Sequence, residues 1–451
     1  MVPISLVICV FGLAACFAAT RRALWAGVVA TMTIGYAYGI LRGNIQQAAS
    51  HFIYDAGAVG LYLAVLTLPL PPVARARMRP LMPWLLCLAG WPILMFFVPS
   101  QDLLVQLVGL RGNIFFLPFL LIGAMMEGSE YRRLARALAI LNSVVLMVAL
   151  AEVVFGVQRF YAASNPVNLT IFRSNDVVYG GEGHYRIPAT FVSSAAYATN
   201  MLASLPLLIG GLAQENGQSR WRYPLACAIA LTVLGVFLSG SRSAFVLLLI
   251  LAVFGAYLSE TRGVPRAVWV GLAAMVAAVV VVTPRTQRFV TLGDTDYVAR
   301  RIHASINQNF IALALEYPMG NGLGGGGTSL PYFLQGRLTN GVALENEYAR
   351  IMAEQGIPGL ALWLGFIIWL ANRRPGRRSN PWHKGKSLAR LFCLFSFATA
   401  PLGLGMLDAI PSTQMLLMLA GWFAAPELLT SSVRDGERRM WSPTASATAP
   451  A

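Results

Sequence analysis

Four polar segments interrupt an otherwise apolar chain, and arginine recurs in them. In Ser239-Gly240-Ser241-Arg242, one arginine stands among small residues directly before an apolar run. Small residues let the backbone approach a ligand closely, and a guanidinium fork binds phosphate oxygens in pairs. The amides at the start of the following helix would point at the same spot. The pattern therefore predicts an anion site at Arg242, and the simpler alternative is an arginine that caps a helix and reaches to the membrane surface.

Arg111 is the second candidate, because it lies about nine residues into the apolar run at 103–126. At 1.5 Å per residue it would lie roughly 13 Å deep in a membrane. A charged side chain at that depth costs about 2.5–3.5 kcal/mol unless it faces a polar cavity or a partner. Two interpretations remain open: Arg111 lines a substrate cavity, or it forms a structural pair with a buried acid such as Glu152.

The third segment combines Arg300-Arg301-Ile302-His303 with a glycine-rich stretch, Tyr317-Pro318 to Gly327. No Gly-Lys-Ser/Thr follows the glycines, which excludes a P-loop, and no strand precedes them, which excludes a dinucleotide fingerprint. The stretch predicts a flexible turn whose backbone amides could face an anion, and an ordinary loop is the alternative.

The fourth segment, Leu344 to Leu360, leads polar groups directly into an apolar run. On a helix Glu347, Arg350 and Glu354 would be neighbours at spacings of three and four residues, which favours an internal ion pair. Glu345 has no such local partner, so it is the better candidate for a general base.

These segments sit in a chain of 451 residues that is 57% hydrophobic and 12% charged. Soluble domains have about 25% charged residues, so the composition excludes an ordinary cytosolic enzyme. A membrane span needs about 20 apolar residues, and runs near that length recur about thirteen times, the tenth at 267–283. We therefore expect an all-α polytopic membrane protein with about 12–14 transmembrane helices.

The predicted organisation has six parts. Transmembrane helices fill 1–155, 190–283 and 349–429, and the central block holds the Ser-Gly-Ser-Arg segment. Two longer loops, 156–189 and 284–348, fall on one side of the membrane, and a disordered tail covers 430–451 on the other.

Arginine-rich short loops follow every second span, and such loops stay in the cytoplasm. The amino terminus is therefore predicted to lie outside the cytoplasm, and the carboxyl terminus is predicted to lie inside it. Of the 34 Lys and Arg residues, 22 fall in cytoplasmic segments together with seven acids, which leaves 12 of each sign outside or within the membrane. The net charge of +15 is thus an orientation signal, and no nucleic-acid partner is expected. The five cysteines and four histidines show no metal-ligand spacing, so neither a metal nor another cofactor is expected.

The same residues resemble the O-antigen ligase and polymerase superfamily of bacterial envelope glycan assembly, the Wzy and WaaL type. The resemblance rests on Ser239 to Arg242 before a helix, on an arginine near 301 before Tyr317-Pro318 and glycines, and on Glu345 to Tyr348 before Glu354 to Leu360. A weaker match is the segment Arg186 to Phe191. Together these segments cover about residues 186–370.

The resemblance implies a glycosyltransferase that uses an undecaprenyl-diphosphate-linked glycan at the periplasmic face of the bacterial inner membrane. The lipid bilayer is then a partner, and a chain-length regulator is a further candidate. Arg242 would act in catalysis with Glu345 as the base, because a leaving diphosphate without a metal needs fixed cations. The expected substrate-binding residues are Arg111, Arg186, Arg300, Arg301, Asn346 and Tyr348.

Ligases of this type carry histidine where Glu345 stands, so the resemblance favours a polymerase of O-antigen or exopolysaccharide repeat units. His303 is an alternative base. Two other functions stay open: an O-antigen ligase that transfers glycan to lipid A core or to protein, and a flippase or transporter of lipid-linked glycan.

Overall fold

The computed structural model shows a helical bundle. It describes residues 3–164, 167, 171–172, 178–179, 182–183, 186–215, 218–258, 295–296, 299, 310–327, 330–342, 344, 346–376, 380–402 and 406–427. The helices are α1 (Ile4–Arg22), α2 (Leu24–Asn44), α3 (Ile53–Leu66), α4 (Pro72–Met78), α5 (Met82–Phe96), α6 (Leu103–Ile114), α7 (Pro118–Met125), α8 (Gly128–Phe155), α9 (Ser194–Gln214), α10 (Arg222–Leu238), α11 (Arg242–Leu258), α12 (Phe310–Glu316), α13 (Glu347–Ala371), α14 (His383–Thr399) and α15 (Ser412–Ala424).

The predicted all-α polytopic membrane fold is confirmed. Every predicted apolar run overlaps a helix except 267–283, which lies outside the described residues. Seven helical segments of the described chain are long and apolar enough to cross a membrane, and the pair α4–α5, bent by 57°, makes an eighth. Several other apolar helices, such as α10 and α11, are shorter than 18 residues, so fewer segments reach full length than the 12–14 helices predicted. Between α8 and α9, residues Val178–Tyr179 and Glu182–Gly183 pair as two short antiparallel strands.

Helix α9 forms the centre of the bundle and packs against α8, α10, α11, α14 and α15. It begins after Ser193, whose hydroxyl accepts a hydrogen bond from the Ala196 amide at 3.2 Å. In the most apolar 18-residue segment of α9, 83% is buried inside the protein. Because lipid offers no hydrophobic drive for helix association, close packing and polar contacts must hold the helices around it.

A cluster of buried polar side chains joins α2, α8, α9 and α10 within the apolar core. Asn142 of α8 accepts a hydrogen bond from the Tyr36 hydroxyl of α2 at 2.9 Å. Its amide nitrogen donates to Ser204 of α9 at 2.7 Å and to Thr232 of α10 at 2.8 Å. All four side chains are buried, so these hydrogen bonds fix the relative positions of α2, α8, α9 and α10.

Helix α13 is broken at Gly356, where the backbone adopts φ 68° and ψ −168°. The chain around Pro318 fills the break: the Pro318 carbonyl accepts from the Ile357 amide at 2.9 Å, and the Ala353 carbonyl accepts from the Asn321 amide at 2.6 Å. The loop thereby satisfies backbone groups that the break releases from the helix.

The glycine-rich stretch is a packed element, and the prediction of a flexible turn was wrong. Residues 321–326 are all buried between α6 and α13. Gln101 clamps the stretch, since its amide nitrogen donates to the Asn321 and Thr339 carbonyls at 2.9 Å each. Four of its glycines, at 320, 322, 324 and 327, have positive φ, so the tight fold and the close approach to α6 both require residues without a Cβ.

Replacing Gly324 with alanine is expected to destabilise the protein by about 1–3 kcal/mol or more. Gly324 has φ +79°, and a Cβ there would lie 2.5 Å from the Val105 carbonyl oxygen of α6. Thermal unfolding of the purified protein in detergent measures the effect. Gly90→Ala is the matched control, because a Cβ at that position of α5 meets no atom within 4 Å. Equal melting temperatures for the two variants would contradict the packing described here.

Candidate functional site

The Ser239 to Arg242 segment is a fixed turn that starts α11 with its arginine. The Ser239 hydroxyl donates to the Val236 carbonyl at 2.6 Å and accepts from the Ser241 amide at 3.2 Å. Gly240 has φ +66°, which lets the chain reverse between α10 and α11. The Ser241 carbonyl accepts the first helical hydrogen bond, from the Phe245 amide. Arg242 is half-buried at the amino end of α11, where the helix dipole also favours an anion.

Arg186 lies beside this turn although it is distant in sequence. A Cβ at Gly240 would lie 3.7 Å from the Arg186 Cγ. Burial and the positive charge of Arg242 lower the pKa of Arg186. The structure therefore brings two of the predicted arginines together, and an anion bound between them would offset their mutual repulsion.

The segment that carries Arg186 is anchored to α2 and α8. The Ala189 amide donates to the Glu152 carboxylate at 2.9 Å, and its carbonyl accepts from the Tyr161 hydroxyl at 2.8 Å. The Ile40 amide of α2 donates to the Thr190 carbonyl at 3.1 Å. Arg186, near the end of the loop predicted at 156–189, thus directly precedes a backbone segment that is fixed to α2 and α8.

Arg111 pairs with Asp55 of α3. The suggestion of Glu152 as its acid partner was wrong. The Arg111 Nε donates to Asp55 Oδ2 at 2.8 Å and its Nη2 to Asp55 Oδ1 at 2.6 Å, which is a bidentate pair. Glu152 contacts the Ala189 amide instead. The pair confirms the structural interpretation. Arg111 also lines a cavity, and binding of substrate there stays a prediction.

Two neighbouring cavities occupy the end of the bundle that the arginine distribution predicts to lie outside. The larger cavity, of about 300 Å³, lies among α9, α11, α14 and α15. Apart from apolar side chains it is lined by six hydroxyls, those of Ser193, Thr199, Ser243, Ser396, Thr399 and Ser412. The smaller cavity, of about 180 Å³, is lined by charged and aromatic groups. Ala409 lines both cavities, and Ser243 of the larger one directly follows Arg242.

Asp408 lines the smaller cavity and was missed by the sequence analysis as a site residue. Burial, followed by the negative charge of Glu347, raises the pKa of Asp408 to about 6, while Arg350 and Arg111 act in the opposite direction. Asp408 is a lone acid in the short segment between the last two predicted apolar runs. Nothing in that segment indicates that it meets α2 and α6 at a shared cavity, so no sequence signal marks it as a site residue.

The start of α13 gives two predicted site residues structural contacts. Asn346 is the helix cap, and its side-chain oxygen accepts from the Tyr348 and Ala349 amides at 2.9 and 3.1 Å. The Tyr348 hydroxyl donates to the Phe397 carbonyl of α14 at 2.6 Å. Both residues therefore hold the beginning of α13 in place, and binding of substrate by either stays a prediction.

The predicted ion pair within α13 is confirmed and is fully buried. Arg350 donates to Glu347 at 2.7 Å and to Glu354 at 3.0 Å. Asn113 of α6 joins the cluster, donating to Glu354 at 2.7 Å and accepting from Arg350 at 3.2 Å. This network joins α6 to α13 close to Asp408, whose carboxylate it influences electrostatically.

Three further predicted site residues, Arg300, Arg301 and Glu345, and the alternative base His303 lie outside the described residues. In the part of the chain that the structure describes, no group of three or more His, Cys, Asp or Glu side chains is placed to hold a metal ion. Among the described residues, Arg42 and Arg111 line the smaller cavity, and Arg186 and Arg242 lie at the Ser-Gly-Ser-Arg turn.

Residues 227–364 match the O-antigen ligase family, which confirms the resemblance to the O-antigen ligase and polymerase superfamily. The matched range contains the Ser239 to Arg242 turn, the glycine-rich stretch and the break in α13. A search of curated proteins finds no match.

Proposed function

We propose, from the premise that residues 227–364 match the O-antigen ligase family, that this membrane protein polymerises undecaprenyl-diphosphate-linked oligosaccharide repeat units. The observation that carries the proposal is the convergence of Arg186 and Arg242 at the amino end of α11, beside the larger cavity. The site faces the periplasm, and the protein lies in the bacterial inner membrane.

Arg186 and Arg242 bind the diphosphate of the donor, with Arg300 and Arg301 as further cations. Charge-assisted bidentate contacts from fixed guanidiniums stabilise the leaving group as negative charge develops on it. The acceptor hydroxyl attacks the anomeric carbon and forms the new C–O bond. The bond from that carbon to the phosphate oxygen breaks, and its electron pair leaves with the undecaprenyl diphosphate. Glu345 takes the proton of the hydroxyl, and direct displacement inverts the anomeric carbon.

An O-antigen ligase is the second candidate, because the matched family carries that name. Its acceptor would be lipid A core or protein rather than a second repeat unit. Ligases of the type that this chain resembles carry histidine at the position of Glu345. The carboxylate at this position therefore favours the polymerase.

Purified protein in proteoliposomes, supplied only with lipid-linked repeat units from its host, separates the two. The polymerase is expected to produce a ladder of glycans whose lengths differ by one repeat, without lipid A. Product that appears only after another acceptor is added would establish the ligase and contradict the polymerase.

A third outcome concerns transport of lipid-linked glycan. If Arg242→Ala and Glu345→Ala both leave polymer length and yield in cells unchanged, the enzymatic proposal fails. The flippase alternative would then be tested by movement of labelled lipid-linked glycan across the same proteoliposomes.

A further inference from the structure

We propose that the smaller cavity binds one sugar ring of the acceptor, and that it is not a second diphosphate site. Its polar lining comes from Tyr38, Arg42, His51, Arg111 and Asp408. The inference rests on the proposed function, because it assigns an acceptor subsite to that reaction, and it gives Arg111 a different ligand from the diphosphate expected from the sequence.

The charges of the smaller cavity are nearly balanced. The Arg111 guanidinium is engaged by both oxygens of Asp55, at 2.6 and 2.8 Å, so its positive charge is offset within the protein. Asp408 adds a carboxylate to the lining, and Arg42 is the second cation there. A diphosphate would have to displace Asp55 or lie against Asp408, and both are unfavourable. A neutral ligand meets neither cost.

The same groups suit a polyhydroxyl ligand. A sugar hydroxyl both donates and accepts, and the cavity offers donors on Arg42 and Arg111 and acceptors on the Asp408 carboxylate. Apolar surface next to these groups comes from Phe52, Val108 and Ile410. Ligand pockets of this kind combine apolar walls with a few placed polar groups.

The volume of the cavity suits a single sugar ring. Its volume of about 180 Å³ is below the roughly 300–1,000 Å³ typical of pockets for drug-sized ligands. The remaining sugars of an oligosaccharide would lie outside it. The cavity therefore recognises the residue of the acceptor that carries or adjoins the reacting hydroxyl.

The position of the cavity fits an acceptor that meets a donor. Val192 lines the smaller cavity and the next residue, Ser193, lines the larger one, while Ala409 lines both. The larger cavity also contains Ser243, adjacent to Arg242. The backbone around Val192, Ser193 and Ala409 thus separates a sugar in the smaller cavity from the site where Arg186 and Arg242 hold the diphosphate.

Protection of single cysteines from thiol labelling tests the inference without turnover. Reporters are Val108→Cys in the smaller cavity and Thr199→Cys in the larger one, both half-buried positions. The background carries Cys87→Ala and Cys227→Ala, because these are the two exposed cysteines and the other three are buried. Val192→Cys is a second reporter for the smaller cavity, so the test does not depend on one variant folding.

Probes are inorganic pyrophosphate and a panel of glucose, galactose, mannose, rhamnose, N-acetylglucosamine and N-acetylgalactosamine. At ten times its dissociation constant, a bound sugar is expected to slow labelling of the Val108 reporter about tenfold, since only the empty site reacts. Pyrophosphate should not slow it. Protection by pyrophosphate but not by sugars, equal protection of both cavities by sugars, or no protection by any sugar would each overturn the inference.

Asp408→Asn gives a second readout in the polymerisation assay. It is expected to raise KM for a water-soluble acceptor repeat unit by about tenfold, as loss of a hydrogen bond to a charged group does, and to leave KM for the lipid-linked donor unchanged. Glu316→Gln, an exposed acid at the end of α12, is the control. An unchanged acceptor KM would contradict the assignment. Failure of the proposed function would look different, because the ladder would be absent while sugar protection persisted.

Discussion

Replacing Arg242 with alanine is expected to lower the rate of glycan transfer by about 10²–10³-fold, the cost of removing one preorganised group that stabilises developing negative charge. Arg242 begins α11 beside Arg186, on a turn fixed by Ser239. Arg242→Lys keeps the charge but loses the planar fork, so an intermediate rate is expected. Single-turnover rates on purified protein and lipid-linked donor measure both variants.

Arg222→Ala is the matched control for this loss. Arg222 also begins a membrane helix, α10, but it is exposed, and the arginine distribution predicts it on the opposite side of the membrane. Its rate should equal that of the unchanged protein. If Arg242→Ala and Arg222→Ala had the same rate while both stayed folded, Arg242 would have no part in binding the leaving group.

Replacing Arg350 with methionine is expected to destabilise the protein by about 3–5 kcal/mol, the cost of leaving buried charges without their partner. Arg350 is 1% exposed, and its loss leaves the carboxylates of Glu347 and Glu354 facing each other in the core. We expect a lower melting temperature in detergent and a lower yield of protein in the membrane. Both follow from folding and do not depend on the reaction.

A comparable ion pair at the edge of the bundle serves as the reference for Arg350. Arg136 of α8 contacts Glu215 at 2.6 Å, but the arginine side chain is 29% exposed, and Glu215, although only 4% exposed, keeps a hydrogen bond from the Ser219 hydroxyl at 2.5 Å. Arg136→Met should therefore cost about 1 kcal/mol, less than Arg350→Met. A second reference is the double change Glu347→Gln with Glu354→Gln in the Arg350→Met protein, which should recover part of the lost stability. Equal effects of Arg350→Met and Arg136→Met would contradict the role of burial.

The contacts that the sequence predicted correctly are short-range ones. Glu347, Arg350 and Glu354 are spaced by three and four residues on one helix, and helical geometry alone brings them together. The apolar runs likewise located the helices, because the length of a span is set by the thickness of the bilayer.

The contacts that the sequence could not supply are pairings between distant elements. The depth of Arg111 indicated that it needs a partner, but the choice of Asp55 over Glu152 depends on how α3 packs beside α6. Asp408 becomes a site residue only because the chain before α15 folds back to a cavity formed by α2 and α6. The glycine-rich stretch looked flexible since its packing against α6 and α13 is invisible in its own composition.

Because of the break in α13 at Gly356, the segments 317–327 and 354–360 can fit together only as a matched pair. The Pro318 carbonyl and the Asn321 amide bond to the backbone on the two sides of the break, and a Cβ at Gly356 would lie 2.4 Å from the Pro318 oxygen. Consider a chimera that imports residues 354–360 from a protein matching the O-antigen ligase family but keeps its own stretch at 317–327. Its two contacting segments would come from different proteins and would not be matched in shape. Recombination between such proteins should therefore succeed when both segments are exchanged together.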